Sequence, residues 1–367
     1  MTILISACEV GSVRAVLPVC HKLFSNNIDF LIDDFGTMRD ELPIIFRRFL
    51  IKILETEIGL FYIENAISLV LFSPNIDKKP ILLARYADSI GIKTFFLLDY
   101  WNGYVARMCL DGGEIFQPTK YLVPDEYAAQ QAKEEGIKTS IIDVSGHPDM
   151  CIEKDVKSLS VDSYVKKILL KQKNKQVIIF VSEPVLKDQG SSLNENQNFR
   201  GYTEQDCLQL LLNAVKKCVL VSYILILPHP RQNVIELKKY WSSIGGNSFG
   251  TVTDSKNGRY FLRYADKVVG MASTLLYTAW LLEKSVATVQ PGLINKSLHA
   301  IGDREGVTSV NSYADEPKLI EWLDTRTFPT RNEPRFEKMR HCSAASYICR
   351  EIIKVVSRQP RTGSARV

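Results

Sequence analysis

The chain has 367 residues, 46% apolar and 24% charged, with a formal net charge of +5. That length is too great for one ordinary core and suits two domains, and the composition excludes a disordered chain. The charge is mild and the basic residues form no aromatic-rich stripe, which argues for no nucleic-acid partner. No run reaches the ~18 uninterrupted apolar residues of a membrane-spanning helix.

The elements read as follows in chain order. "TILISA" (2–7) is short, lacks a basic flank, and reads as a first strand rather than a signal peptide. A helix follows over 14–27, a strand over 28–33, and helical segments over about 40–60. Strands at 66–72 and 94–99 enclose a helix at 79–91 that ends on glycine. A strand at 120–124, a helix at 125–136 and a strand at 140–146 complete this half. The second half opens after a polar segment, 153–175, with a strand at 176–182 and a long polar loop at 183–202. A loop of that length is either a functional lid or disordered. A helix at 203–218 has Thr203 as N-cap, with Asp206 three residues on. Then come strands at 223–227, 266–271 and 286–290, with helices near 233–242 and at 273–285. A late helix at 336–356 precedes a basic tail. Short apolar runs alternating with helices of ten to fifteen residues predict parallel sheets built from βαβ units, hence an α/β protein of two Rossmann-like domains facing across a cleft. The eight cysteines, at 8, 20, 109, 151, 207, 218, 342 and 349, include no CxxC pair. They read as reduced, buried thiols in a cytoplasmic protein, with neither a disulfide framework nor a zinc site.

In open parallel sheets, ligands bind beyond the carboxyl ends of the strands, so the residues that follow each strand are the site candidates. Gly11 lies in the tight turn "EVGSV", where backbone can approach a ligand. Asp33, Asp34 and Gly36 follow the second strand, and Asp99, Tyr100, Trp101, Asn102 and Arg107 follow the fourth. His147 and Asp149 precede the polar segment, and Glu183 follows its first strand. His229 stands between two prolines with Arg231 two residues on, a pairing that suits a phosphate oxygen. Gly270 ends a strand, and Ser273 and Thr274 open the next helix, where hydroxyls and free N–H groups can hold an anion without a metal. The plainer readings are a capped core histidine and simple N-capping by Ser273. No GxGxxG fingerprint and no Walker motif is present.

Two serial α/β halves, "PHPR" after a second-half strand, and a Ser/Thr pair opening the next helix resemble GT-B glycosyltransferases. Within these, the pattern resembles the groups with an HP motif and a Ser/Thr motif: bacterial sialyltransferases, polysialyltransferases, capsule Kdo transferases and CDP-glycerol-type polymerases. The resemblance implies that His229, Ser273 and Thr274 meet a donor phosphate, and that the donor is a CMP- or other nucleotide-activated sugar. It also implies an acceptor-side domain at 1–152, a linker at 153–175, a donor-side domain at 176–335, and a closing helix and basic tail at 336–367. Two positions depart from the pattern. "DDFG" (33–36) carries an inserted Phe relative to the acidic motif of those families, and Thr278 stands where many relatives place a ribose-binding Glu. The first-half segments also resemble sugar-nucleotide epimerases and hydrolases that share the fold.

The expectation is therefore a metal-independent transferase of surface polysaccharide or glycoconjugate biosynthesis, with no cofactor. His229, Arg231, Ser273, Thr274, Gly270 and Gly11 would hold the donor phosphate. Asp99, or Asp33 with Asp34, would serve as base. Tyr100, Trp101, Asn102 and Arg107 would meet a glycan, lipid-linked or small-molecule acceptor, with at most peripheral membrane contact. A sugar-nucleotide epimerase or hydrolase is one alternative, and a non-catalytic nucleotide- or glycan-binding protein another.

Overall fold

The computed structural model describes residues 1–74, 77–110, 113–151, 172, 174–253, 258–294, 300–326 and 331–358. The chain divides into two compact units, residues 1–151 with 337–367 and residues 152–336. The polar segment at 153–175 lies almost wholly outside the described residues, as does the basic tail from 359 onward.

The first unit is built on a seven-stranded sheet in the order β3-β2-β1-β4-β5-β6-β7. The strands are β1 Thr2–Ala7, β2 Phe30–Asp33, β3 Leu50–Ile51, β4 Ile67–Ser73, β5 Lys93–Leu97, β6 Lys120–Val123 and β7 Ile142–Val144. All pairings are parallel. Ile3, Leu4, Ile5, Leu69, Val70 and Leu71 are fully buried, so these central strands are apolar on both faces, as a sheet covered by helices on each side requires. The helix Val10–Ser25 packs Val13, Val16, Val19, Cys20 and Leu23 on this core. The late helix, Glu333–Arg358, brings Ala345, Ile348, Cys349, Ile352 and Val356 to the same core.

The second unit repeats the plan with six strands, in the order β10-β9-β8-β11-β12-β13. These are β8 Gln176–Val181, β9 Ser222–Leu227, β10 Gly250–Val252, β11 Lys267–Gly270, β12 Ser285–Val289 and β13 Thr308–Val310, again all parallel. Its helices include Glu204–Lys217, Val234–Ser243, Thr274–Leu281 and Glu316–Asp324. The expected capping box is present: Thr203 Oγ1 accepts from Asp206 N–H at 3.3 Å while Asp206 Oδ2 accepts from Thr203 N–H at 2.8 Å. The α/β fold of two Rossmann-like domains is thus as expected, and in both sheets the strand order reverses direction once, beside the first strand of the unit. That reversal, between β1 and β4 and between β8 and β11, opens the crevice where ligands of doubly wound sheets bind.

The differences from the expected elements are local. Residues 40–60 hold short 3-10 turns and β3 rather than continuous helix. The 183–202 loop carries one short helix, Val185–Gln189. Among the described residues no helix is long and apolar enough to cross a membrane.

Candidate functional site

In the first unit the sheet ends bring two carboxylates to two cations. Asp33 ends β2 with no solvent exposure. Its Oδ1 accepts from Lys79 Nζ at 2.7 Å, and its Oδ2 accepts from Ser6 Oγ at 3.0 Å. Lys79 opens the helix Lys79–Ser89 that follows β4, and Phe35 covers its ammonium at 4.7 Å. Burial raises the Asp33 carboxyl above its usual range although Lys79 and Ser6 both favour the charged form. Asp33 is thus sealed from solvent and paired, with less access to an acceptor than Asp99 just past β5. Asp34 next to it faces outward and pairs with Arg39. Gly36 has φ +58°, and a Cβ there would come within 2.1 Å of Cys8 O. Packing against the loop after β1 therefore accounts for the glycine of "DDFG" without any ligand.

Asp99 lies just past β5. Arg107 Nη1 donates to its Oδ1, and His147 Nε2 lies 3.0 Å from its backbone oxygen. Its Oδ2 faces Gly11, where an added Cβ would sit 3.0 Å away. Asp99 is therefore gripped on one oxygen while the other meets the first turn of the helix Val10–Ser25, whose positive end suits a carboxylate. Trp101 is 2% exposed; its Nε1 donates to Asp125 Oδ2 at 2.6 Å and its ring stacks on His147 at 5.9 Å. Asp125 in turn N-caps the helix Glu126–Glu135 through Ala128 N–H. Trp101 and Arg107 thus hold this corner of the unit together. Tyr100 and Asn102 are half-buried beside them.

His147, one of the strand-end candidates, acts as a structural support. Its own N–H donates to His341 Nδ1 at 3.0 Å, 194 residues away on the late helix. Gly146, with φ +85°, lets that helix approach; a Cβ there would meet Arg340 O at 2.8 Å.

In the second unit the groups gather around β8. His229 opens a β-turn closed by Gln232 N–H to His229 O at 2.9 Å, with Pro230 in the second position, where its fixed φ is suited. Gln232 Oε1 accepts from His229 N–H at 2.8 Å, and Gln232 Nε2 donates to Glu183 O at 3.1 Å. His229 Nδ1 accepts from Arg231 N–H at 3.2 Å. Burial first, and the Arg231 charge second, lower the imidazole below its usual range. A neutral ring whose Nδ1 accepts must carry its proton on Nε2, so His229 presents a neutral donor. Arg231 itself pairs with Asp188 at 2.7 and 3.0 Å. It forms one wall of a cavity of about 540 Å³, together with Lys187, Glu204, Gln232 and Tyr240. Its guanidinium is thus paired with a carboxylate of the 183–202 loop while staying largely exposed.

On the other side of β8, Gly270 ends β11, and Ser273 N-caps the helix Thr274–Leu281 by accepting from Leu275 N–H at 3.2 Å. The capping reading of Ser273 is correct, and it leaves the hydroxyl of Thr274, which makes no hydrogen bond to the described residues, as the available group. Thr278 is buried and its hydroxyl donates to Thr274 O at 3.1 Å. Between the two sides stands Glu183, a strand-end candidate to which the sequence assigned no role. Its Oε1 accepts from Ala272 N–H at 2.7 Å, across the reversal between β8 and β11.

No family model matches the chain, and no curated protein matches it in sequence. Solved structures do. The UDP-GlcNAc 2-epimerase of Methanocaldococcus jannaschii aligns over 96% of this chain and all of its own, with a TM-score of 0.65 at 12% identity. The UDP-GlcNAc 2-epimerase of Neisseria meningitidis, solved with UDP-GlcNAc, aligns over the same shares with a TM-score of 0.62 at 13% identity. A glycosyltransferase of Rickettsia africae aligns over 99% of both chains, with a TM-score of 0.62 at 12% identity. The likeness establishes the GT-B-like fold.

Proposed function

We propose that the protein acts on a nucleotide-activated sugar and cleaves the bond between the anomeric carbon and its phosphate, as a sugar-nucleotide epimerase or hydrolase. The observation that carries this reading is the flanking of β8 by two donors: His229 Nε2–H after β9, and Thr274 at the helix N-terminus after β11. As the bond breaks, negative charge builds on the departing diphosphate. Fixed donors at that point lower the barrier without a change in protonation. Asp99, with Oδ1 held by Arg107, is the candidate base of the first unit. The likeness to enzymes named for UDP-GlcNAc supports this donor class over the sialyltransferase-type one.

The test is incubation with UDP-GlcNAc and with other UDP-, GDP- and CMP-sugars, without acceptor, followed by NMR. Release of nucleotide or inversion at a sugar carbon is the expected result. Turnover that begins only when a glycan acceptor is added sinks this reading in favour of glycosyl transfer. That second reading is supported by the likeness to the Rickettsia africae glycosyltransferase.

A further inference from the structure

The crevice between β8 and β11 is the place where the fold seats a ligand, and a carboxylate already sits in it. Register carries the point: Val181 pairs with Leu227 on one side and Gly270 on the other. Two residues further along all three chains stand Glu183, His229 and Ala272, so Glu183 is the middle member of the row. Its Oε1 takes Ala272 N–H, the donor just ahead of the Ser273 cap. A phosphate held by His229 and Thr274 would meet this anion directly.

We infer, on the basis of the nucleotide-sugar reading above, that Glu183 is a specificity-determining residue of the phosphate site: its carboxylate occupies Ala272 N–H in place of a ligand, and a nucleotide diphosphate binds by displacing it. The displaced side chain takes up a proton from solvent and can then donate that proton in a hydrogen bond to a phosphate oxygen. The surroundings suit this exchange. Burial raises the Glu183 carboxyl above its usual range, against the pull of Ala272 N–H and of Arg200. Arg200 faces it from the segment before the helix Glu204–Lys217; Glu204 and Cys207 face it from that helix. His229 and Arg231 lie on the neighbouring loop, and Ser273 and Thr274 bring no charge. Arg200, whose side chain also bonds Tyr202, keeps its buried Nε without a hydrogen-bond partner, so one guanidinium N–H beside Glu183 is unused. Glu204 takes Leu186 N–H at 2.8 Å, away from the row of strand ends in which Glu183 is the middle member.

The experiment is a UDP titration of wild type and Glu183→Gln at about pH 6 and about pH 8. The ionisation of UDP and of His229 is common to both proteins, so the difference between them isolates Glu183. The glutamine variant is expected to bind about tenfold more tightly than wild type at the higher pH, with the gap narrowing as pH falls. Equal or weaker binding by the variant at the higher pH overturns the inference and leaves the nucleotide reading intact. A wild-type measurement does not depend on the variant folding. The Ala272 amide resonance should follow the ionisation of Glu183 in the free protein and lose that dependence at saturating UDP. A titration unchanged by UDP overturns the inference. Failure of UDP, CDP and CMP all to bind removes the nucleotide reading and this inference with it.

Discussion

The two sheets share a strand order but treat the carboxylates at their ends differently. In the first unit two buried carboxylates at the strand ends have a cation each: Lys79 holds Asp33 and Arg107 holds Asp99, while Asp125 is fixed by Trp101 Nε1 and Ala128 N–H. In the second unit Glu183 is hydrogen-bonded by one backbone N–H, with Arg200 facing it but forming no ion pair with it among the described residues. A buried ion pair is costly to break from either side, because the survivor is left charged and unpaired. A carboxylate on an N–H can be replaced by another anion at little cost. The first unit therefore keeps its charges fixed, and the second offers a place where one anion can be exchanged for another.

The largest effect that tests this contrast comes from Lys79→Met. Asp33 would remain without exposure and without its cation, which costs about 3–5 kcal/mol in urea unfolding of the first unit. The pH dependence has a definite sign. The Asp33 carboxyl is already raised by burial, and loss of Lys79 removes the main group that favours its charge. A folded value above the unfolded one gives stability that is present at low pH and lost as pH rises. The deficit of Lys79→Met is thus small in acid and grows toward neutrality. The pair replaced together, Asp33→Leu with Lys79→Met, should recover most of it. A single variant as stable as wild type at neutral pH would end the claim that the first unit fixes its charges.

Next in size is His229→Ala. Loss of a charge-assisted donor should weaken UDP binding by about ten- to a hundredfold, while Asp99→Asn should leave that affinity unchanged and lower turnover. Equal losses of affinity in both variants would erase the division between a phosphate side and a base side. Gly11→Ala sharpens the Asp99 assignment. Its methyl group would crowd Asp99 Oδ2 from 3.0 Å, yet alanine favours the helix over glycine by about 1 kcal/mol. Turnover should fall without loss of stability.

What the sequence made legible follows from range. β8 and β9 stand out because both are runs of β-branched and other apolar residues bounded by polar ones, and the helix after β9 carries its N-cap, Asn233, six residues on. β3, β10 and β13 are two or three residues long, too short to show any period, and went unseen. The helix Glu316–Asp324 was also missed, although Pro317 in its first turn is a readable start signal. The imidazole of His229 was legible because prolines two positions apart announce a turn. The sealing of Asp33 by a lysine 46 positions on was not, nor was the bond from Ala272 to Glu183 across 89 positions. Strand-end composition names the residues that reach a sheet edge. Which of them cancel one another depends on parallel register, and register between distant strands leaves no mark in local sequence.

The smallest effects separate Ser273 from Thr274, neighbours that sequence reasoning treats as one motif. Ser273 Oγ is spent on Leu275 N–H, so Ser273→Ala should lower stability by about 1 kcal/mol through loss of the cap. Its effect on UDP affinity should be slight, since the hydroxyl was already engaged. Thr274 has the opposite balance. Its hydroxyl makes no hydrogen bond to the described residues, and Thr274→Ala removes a group that only a ligand would use. Stability should then hold while UDP affinity falls by about threefold to tenfold. Were Ser273→Ala to cost affinity and Thr274→Ala to cost nothing, the cap would have to open on binding, and the anion would sit on Ser273 instead.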